Sequence, residues 1–220
     1  MSMHHVLRPG LSFCRIADVA LFLDLPRDRY FRLPDRLNAA FLALVAGTLP
    51  DDAALGLLGS ARVIVPGDVP LPFQPVDYTL PVESSPAISR GPFRLGDVAR
   101  VIATQHRVER RLGKSALIDV LDDVCRRRNG CVATELAGEG GAARAVRAFE
   151  FARLLHSAAN RCLPRSIALA LCLAREGVRA EVVLAVKLAP FAAHCWAQTG
   201  DAVLNDTPEE VARYTPILVV

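Results

Sequence analysis

The hydrophobic positions of the chain change period several times, and these changes divide it into segments. From Leu11 to about Leu33, apolar residues alternate or run in short blocks: Leu11, Phe13, Val19, Leu21, Leu23 and Leu25, then Tyr30, Phe31 and Leu33. This pattern breaks at Ala17-Asp18 and at Pro26-Arg27-Asp28-Arg29, and it predicts three short strands. From Asp35 the spacing becomes helical, with Leu37, Phe41, Leu44 and Val45 on one face and Gly47 as the stop. Pro50-Asp51-Asp52 opens a second short helix carrying Leu55, Leu57 and Leu58.

Strands followed by short helices make residues 1–65 a small β3α module of winged-helix type, too small to be an enzyme unaided. Residues 66–92 hold about half of the chain's 15 prolines, with Gly67, Ser84, Ser85, Ser89 and Gly91 among them, and predict a semi-extended linker. The third segment, 93–220, starts with an amphipathic helix marked by Val98, Val101, Ile102, Gln105, Val108 and Leu112. The next helix is expected to be capped by Ser115, to bury Ile118, Leu121, Val124 and Cys125, and to end at Arg126-Arg127-Arg128-Asn129-Gly130. The arginine triplet reads as a solvated helix end. Gly138-Glu139-Gly140-Gly141 is a break, and a helix from Ala142 to His156 buries Ala148, Phe149, Ala152 and Leu155.

Composition narrows the class. The 220 residues are 52% hydrophobic, enough for a substantial core, yet no apolar run approaches the ~20 residues of a membrane span. No apolar signal core follows Met1-Ser2-Met3-His4-His5, so a cytoplasmic location is expected, with the six cysteines reduced. A net charge of +3 is weak evidence for a nucleic-acid partner, whose binding domains usually show a denser basic face.

The candidate chemistry lies between Arg161 and Asp206. Cys162 precedes Pro164, a residue tolerated in a first helical turn, and an apolar helix then runs to Gly177 as its C′ residue. A thiol at a helix N-terminus has a lowered pKa, and the same N–H groups can hold an oxyanion. Ala180 to Val186 is a β-branched strand, Lys187 to Pro190 a loop, and His194-Cys195-Trp196 lies on the next strand before a turn at Thr199-Gly200-Asp201. Asp201 is seven residues from His194, roughly 23 Å along a strand. Asp206, after the return strand, comes back to within about one residue of the position facing His194. Cys162, His194 and Asp206 therefore form a candidate nucleophile, base and orienting acid. Each also has a plainer role: inert buried cysteine, histidine packed beside Trp196, and cap for residues 207–210. A zinc site from Cys162, Cys172, His194 and Cys195 fits poorly, because Cys195 alternates to the face opposite His194 and the spacings match no zinc pattern.

The run Cys162-Leu163-Pro164-Arg165-Ser166, the strand Ala193-His194-Cys195-Trp196 and the later Asp206 resemble the lasso peptide biosynthesis B proteins. Their protease half is transglutaminase-like and papain-like. Here Cys195 replaces an alanine of the family pattern, and Ala185 a glycine. Leu23-Asp24, Tyr30 and Leu33 resemble that family's N-terminal peptide-recognition element. The resemblance implies an α+β protein: a winged-helix-like module, a Pro-rich linker, and a cysteine protease domain of helices packed on an antiparallel sheet. It implies a leader peptidase that binds the leader of a ribosomally made precursor peptide and cuts leader from core. Strand addition to the third strand, near Arg29, Tyr30, Phe31 and Arg32, would hold the leader, and the basic Arg27, Arg29 and Arg32 would add selectivity for acidic leader residues. The implied partners are that precursor and an asparagine-synthetase-like cyclase, to which any ATP requirement belongs, and no cofactor is bound directly. Acyl transfer to an amine, and a non-catalytic peptide escort, are the alternative readings.

Overall fold

A computed structural model describes residues 4–69, 72–76, 78–84, 94–132, 140–153 and 161–220, with backbone alone for 154–155. The chain divides into two compact units, Met1–Asp77 and Tyr78–Val220.

In the first unit, β2 (Leu11–Ile16), β3 (Val19–Asp24) and β4 (Arg29–Arg32) form an antiparallel meander in the order β2-β3-β4. The first reversal places Ala17 at a φ of 51°, and the second uses the short 3-10 turn Leu25–Arg27, which Asp24 caps and Asp28 closes at a φ of 48°. Helices α1 (Asp35–Val45) and α2 (Asp52–Ser60) follow. The sheet and the two helices bury Phe13, Phe22, Phe41 and Leu58 almost completely. Phe41 meets Phe13 edge-on at 4.9 Å, and Phe31 stacks on Phe22 at 5.0 Å. Asn38 ties α1 to the sheet: its Nδ2 donates to the Asp18 carbonyl and its Oδ1 accepts from the Ala20 N–H. Asp51 caps α2 by accepting from the Ala54 N–H.

Two strands lie outside the periodic segments read from the sequence. β1 (His4–Leu7) pairs antiparallel with β5 (Ile64–Gly67), His4 opposite Gly67 and Leu7 opposite Ile64. The beginning of the Pro-rich stretch is thus part of this unit, as is Phe73, whose ring meets Phe41 at 5.8 Å. Its end belongs to the second unit: Tyr78 donates to Glu181 at 2.9 Å, and β6 (Glu83–Ser84) pairs with a sheet strand.

In the second unit, the sheet order is β10-β7-β8-β9-β6, with β7 (Glu181–Leu188), β8 (Phe191–Thr199), β9 (Ala202–Val203) and β10 (Thr215–Val219). All neighbours are antiparallel except β9 and β6. The β7–β8 loop is only Ala189-Pro190, shorter than expected because β7 continues through Lys187 to Leu188. The helices are α3 (Leu95–Leu112), α4 (Leu117–Asn129), α5 (Gly141–Leu155) and α6 (Cys162–Arg175), with a last short helix α7 (Pro208–Val211). α6 packs on β7 and β8 on one side and on α3, α4 and α5 on the other. An element enclosed this way must be apolar all round, and Ile167, Ala168, Leu169 and Leu173 are fully buried.

Two expectations for α4 fail. Its N-cap is Ala116 with no side-chain hydrogen bond, Ser115 being exposed one residue too early. Its buried face is Leu117, Val120, Leu121 and Val124, with Ile118 and Cys125 only half-buried. The arginines at its end are not simply solvated: Arg127, together with Arg111 of α3, grips the Asp123 carboxylate at 3.2 and 2.6 Å. His156 and the side chain of Leu155 lie outside the described residues.

Candidate active site

Cys162 is the first residue of α6. No side chain caps this end, Pro164 brings no N–H to the first turn and the Arg165 N–H donates to the Arg161 carbonyl at 3.2 Å, so the N–H groups of Cys162 and Leu163 are the ones left without a helical acceptor. The N–H groups of Leu163 and Cys195 both reach the Cys162 sulfur, as does the His194 ring. His194 stands on β8 directly opposite Ala185 of β7, where the small side chain leaves room for the ring. Its Nε2 is hydrogen-bonded to Asp206 Oδ2, which leaves Nδ1 as the ring nitrogen for the thiol. The Tyr214 ring lies 4.9 Å from the imidazole, centre to centre.

Asp206 is free to serve the histidine because its neighbour takes the helix cap. Thr207 Oγ1 accepts the Glu210 N–H at the start of α7, while Asp206 Oδ1 accepts the Thr207 N–H at 2.8 Å. β9 ends at Val203, two residues sooner than the return strand read from the sequence, and residues 204–206 bend toward the histidine. Cys162, His194 and Asp206 therefore meet at one point; Asp201 stays at the hairpin turn.

The electrostatics of the three are mutually consistent. Burial opposes ionisation of Cys162, but the hydrogen bond and charge of His194 and the two backbone N–H groups outweigh it, so the thiol sits below its ordinary pKa. Burial likewise disfavours a charged His194, yet Asp206 and Cys162 overcome it and raise the imidazole to about 9. Asp206, despite its burial, is held below the usual carboxylate range by His194 and the Thr207 N–H. The other cysteines differ: burial pushes Cys14 up to about 12 and raises Cys172 and Cys195. A thiolate–imidazolium pair is a nucleophile with its acid already beside it.

A second layer escapes sequence reasoning. Ser166, fully buried one turn into α6, points its hydroxyl at the carbonyls of Cys162 (2.9 Å) and Cys195 (3.1 Å). Asn205 Nδ2 donates to that hydroxyl at 2.9 Å, and Asn205 Oδ1 accepts the Ala197 N–H at 2.7 Å. One small network joins the helix of Cys162, the strand of His194 and the bend of Asp206. Cys195 thus leaves the site as a side chain and returns as backbone. The signal in the sequence was the adjacency of Ser166 and Asn205 to the candidate residues. Arg165 is half-buried, and its charge is felt by both Cys162 and Asp206.

The residues singled out for peptide binding lie in the first unit and do not all gather. Arg27, Arg29 and Phe31 line one cavity; Tyr30 and Arg32 alternate to the opposite face of β4. Among the described residues, no group of three or more His, Cys, Asp or Glu is placed to hold a metal, and no helix is long and apolar enough to cross a membrane.

An apolar helix opening on a cysteine, laid against a sheet whose strand β8 supplies a histidine and whose next strand leads into a bend carrying an acid, sets a nucleophile, a base and an orienting acid side by side. Comparison with protein families bears on this point: residues 99–219, more than half of the chain, match the transglutaminase-like superfamily. The chain belongs to that superfamily. No curated protein and no solved structure matches it.

Proposed function

We propose that the protein is a cysteine peptidase that removes the leader from a ribosomally made precursor peptide of the lasso type. The observation that carries this is the convergence of Cys162, His194 and Asp206, with the thiol lowered and the imidazole raised toward a standing ion pair. The Cys162 thiolate attacks the carbonyl of the leader's last residue. The N–H groups at the start of α6 stabilise the developing oxyanion. His194 gives its proton to the leaving amine as the C–N bond breaks, leaving a thioester. His194 then takes a proton from water, which attacks the thioester and releases the leader's carboxylate and the free thiol.

The first unit is the recognition module in this reading, winged-helix-like in its meander followed by two helices. The precursor's leader lies extended beside β4, the last strand in the order β2-β3-β4. An asparagine-synthetase-like cyclase then closes the new N-terminus of the core. The protein acts in the cytoplasm.

The test is mass spectrometry of a lasso-type precursor peptide incubated with the protein. Two fragments whose masses sum to the precursor plus one water are expected, and none with Cys162→Ala. Cleavage by that variant overturns the assignment. Products carrying an added amine in place of water would make the same relay an acyl transferase.

A further inference from the structure

The first unit has a cavity of about 300 Å³ lined by Arg8, Asp24, Arg27, Arg29, Phe31 and Arg62, with Leu33 and the end of α2 completing the wall. Its charge is lopsided. Four guanidinium groups face one carboxylate, and that carboxylate is already engaged: Asp24 is buried, and its Oδ2 receives Arg8 at 2.8 Å and Arg27 at 2.9 Å. Arg29 and Arg62 have no ion-pair partner among the described residues; Arg29 instead stands 5.7 Å from the centre of the Phe31 ring. A buried acid matched by two arginines is a structural ion pair. Two further arginines at the same opening are not required by it.

Position on the strand gives the cavity a direction. Arg29 and Phe31 are two residues apart and so share one face of β4. A chain lying extended beside β4 presents every second side chain to that face, so groups received by Arg29 and by Phe31 are also two residues apart. Guanidinium matches carboxylate in shape as well as charge. Phe31, half-buried and stacked on Phe22, lines the same cavity and offers it an apolar wall.

We infer that this cavity is a specificity pocket for an acidic side chain of the bound peptide, with Arg29 and Arg62 receiving the carboxylate and Phe31 packing against an apolar residue two positions away. The inference rests on the proposal that the first unit binds a peptide. It goes beyond it by fixing the class of side chain selected and the spacing of its neighbour.

The test selects random decapeptides on immobilised full-length Cys162→Ala protein. The expected pool is enriched in Asp or Glu at one position with a bulky apolar residue two away. Changing that acid to Gln in a selected peptide should weaken binding about tenfold, as loss of one charged hydrogen-bonded contact does. In the Arg29→Gln, Arg62→Gln double variant the same change should cost less than about twofold, with affinity for the Gln peptide itself unaltered. Both arginines are exposed, so the variant retains its core. Peptides that bind equally well with Gln, or a double variant that still prefers acid, overturn the pocket while leaving peptide binding intact. Failure to enrich any peptide overturns both readings. Stronger binding of a single-stranded oligonucleotide than of any selected peptide would assign the arginines to phosphate instead and also overturn the inference.

Discussion

His194 holds its proton more tightly than a free imidazole, while Cys162 loses its proton more easily than a free thiol, and the working range of the proposed reaction follows from these two directions. Below the lowered thiol pKa the nucleophile is protonated, so activity rises with pH through that value. Above about 9 the imidazole has lost the proton it must give to the leaving amine, so activity falls. The pH–rate profile of precursor cleavage should thus show a plateau between the two. Asp206→Asn removes the strongest favourable influence on the His194 proton. Its alkaline limb should move to lower pH, and its turnover should drop by about two to four orders of magnitude. An unmoved limb would show that Asp206 does not orient the histidine. Cys162 and Asp206 are legible in the sequence because each sits at an element boundary marked by proline or turn residues, and His194 because Trp196 and the turn after Thr199 mark the strand that carries it. Ser166 and Asn205 are not, since the bonds of Ser166 to the Cys195 carbonyl and to Asn205 form only between elements distant in the chain.

At the level of elements, α6 is fixed to β8 and the β9 bend by that Ser166–Asn205 pair. Ser166→Ala leaves the Asn205 amide and the Cys195 carbonyl without this partner, and Asn205→Ala leaves the Ala197 N–H without one. Each should lower stability by about 1–3 kcal/mol in chemical denaturation, the double variant costing less than the sum because the two share one bond. Turnover should fall with them, since the network sets the distance between the helix of Cys162 and the strand of His194. Long periodic elements such as α3 were readable from hydrophobic spacing alone. α4 was read out of phase because Leu117 and Ile118 are equally apolar, and only packing decides which of them turns inward. β1 and β5 give no comparable signal, because short strands make a weak period and their pairing joins positions about sixty residues apart.

On the scale of the whole molecule, the Pro-rich stretch is shared out between the two units, which changes where the first can be cut. A fragment ending at residue 65 loses half of β5 and the Phe73 ring, whereas one ending at 77 keeps both. The longer fragment should unfold cooperatively, and the shorter should be weaker by about 2 kcal/mol or more, measured by thermal melting followed by circular dichroism. Equal melting would show that residues 66–77 add nothing to the unit. The second unit's sheet carries a different consequence. β8 holds the His194 ring on one face and the Cys195 N–H beside the sulfur, both set by the two-residue loop at Ala189-Pro190. A slip of one residue along β7 would turn the ring away and bring the inert Cys195 thiol round in its place. Nothing intermediate lies between these arrangements. A sample misfolded in this way should therefore be a mixture of competent and silent molecules, its activity falling in step with the share of protein whose Cys162 thiol is still activated.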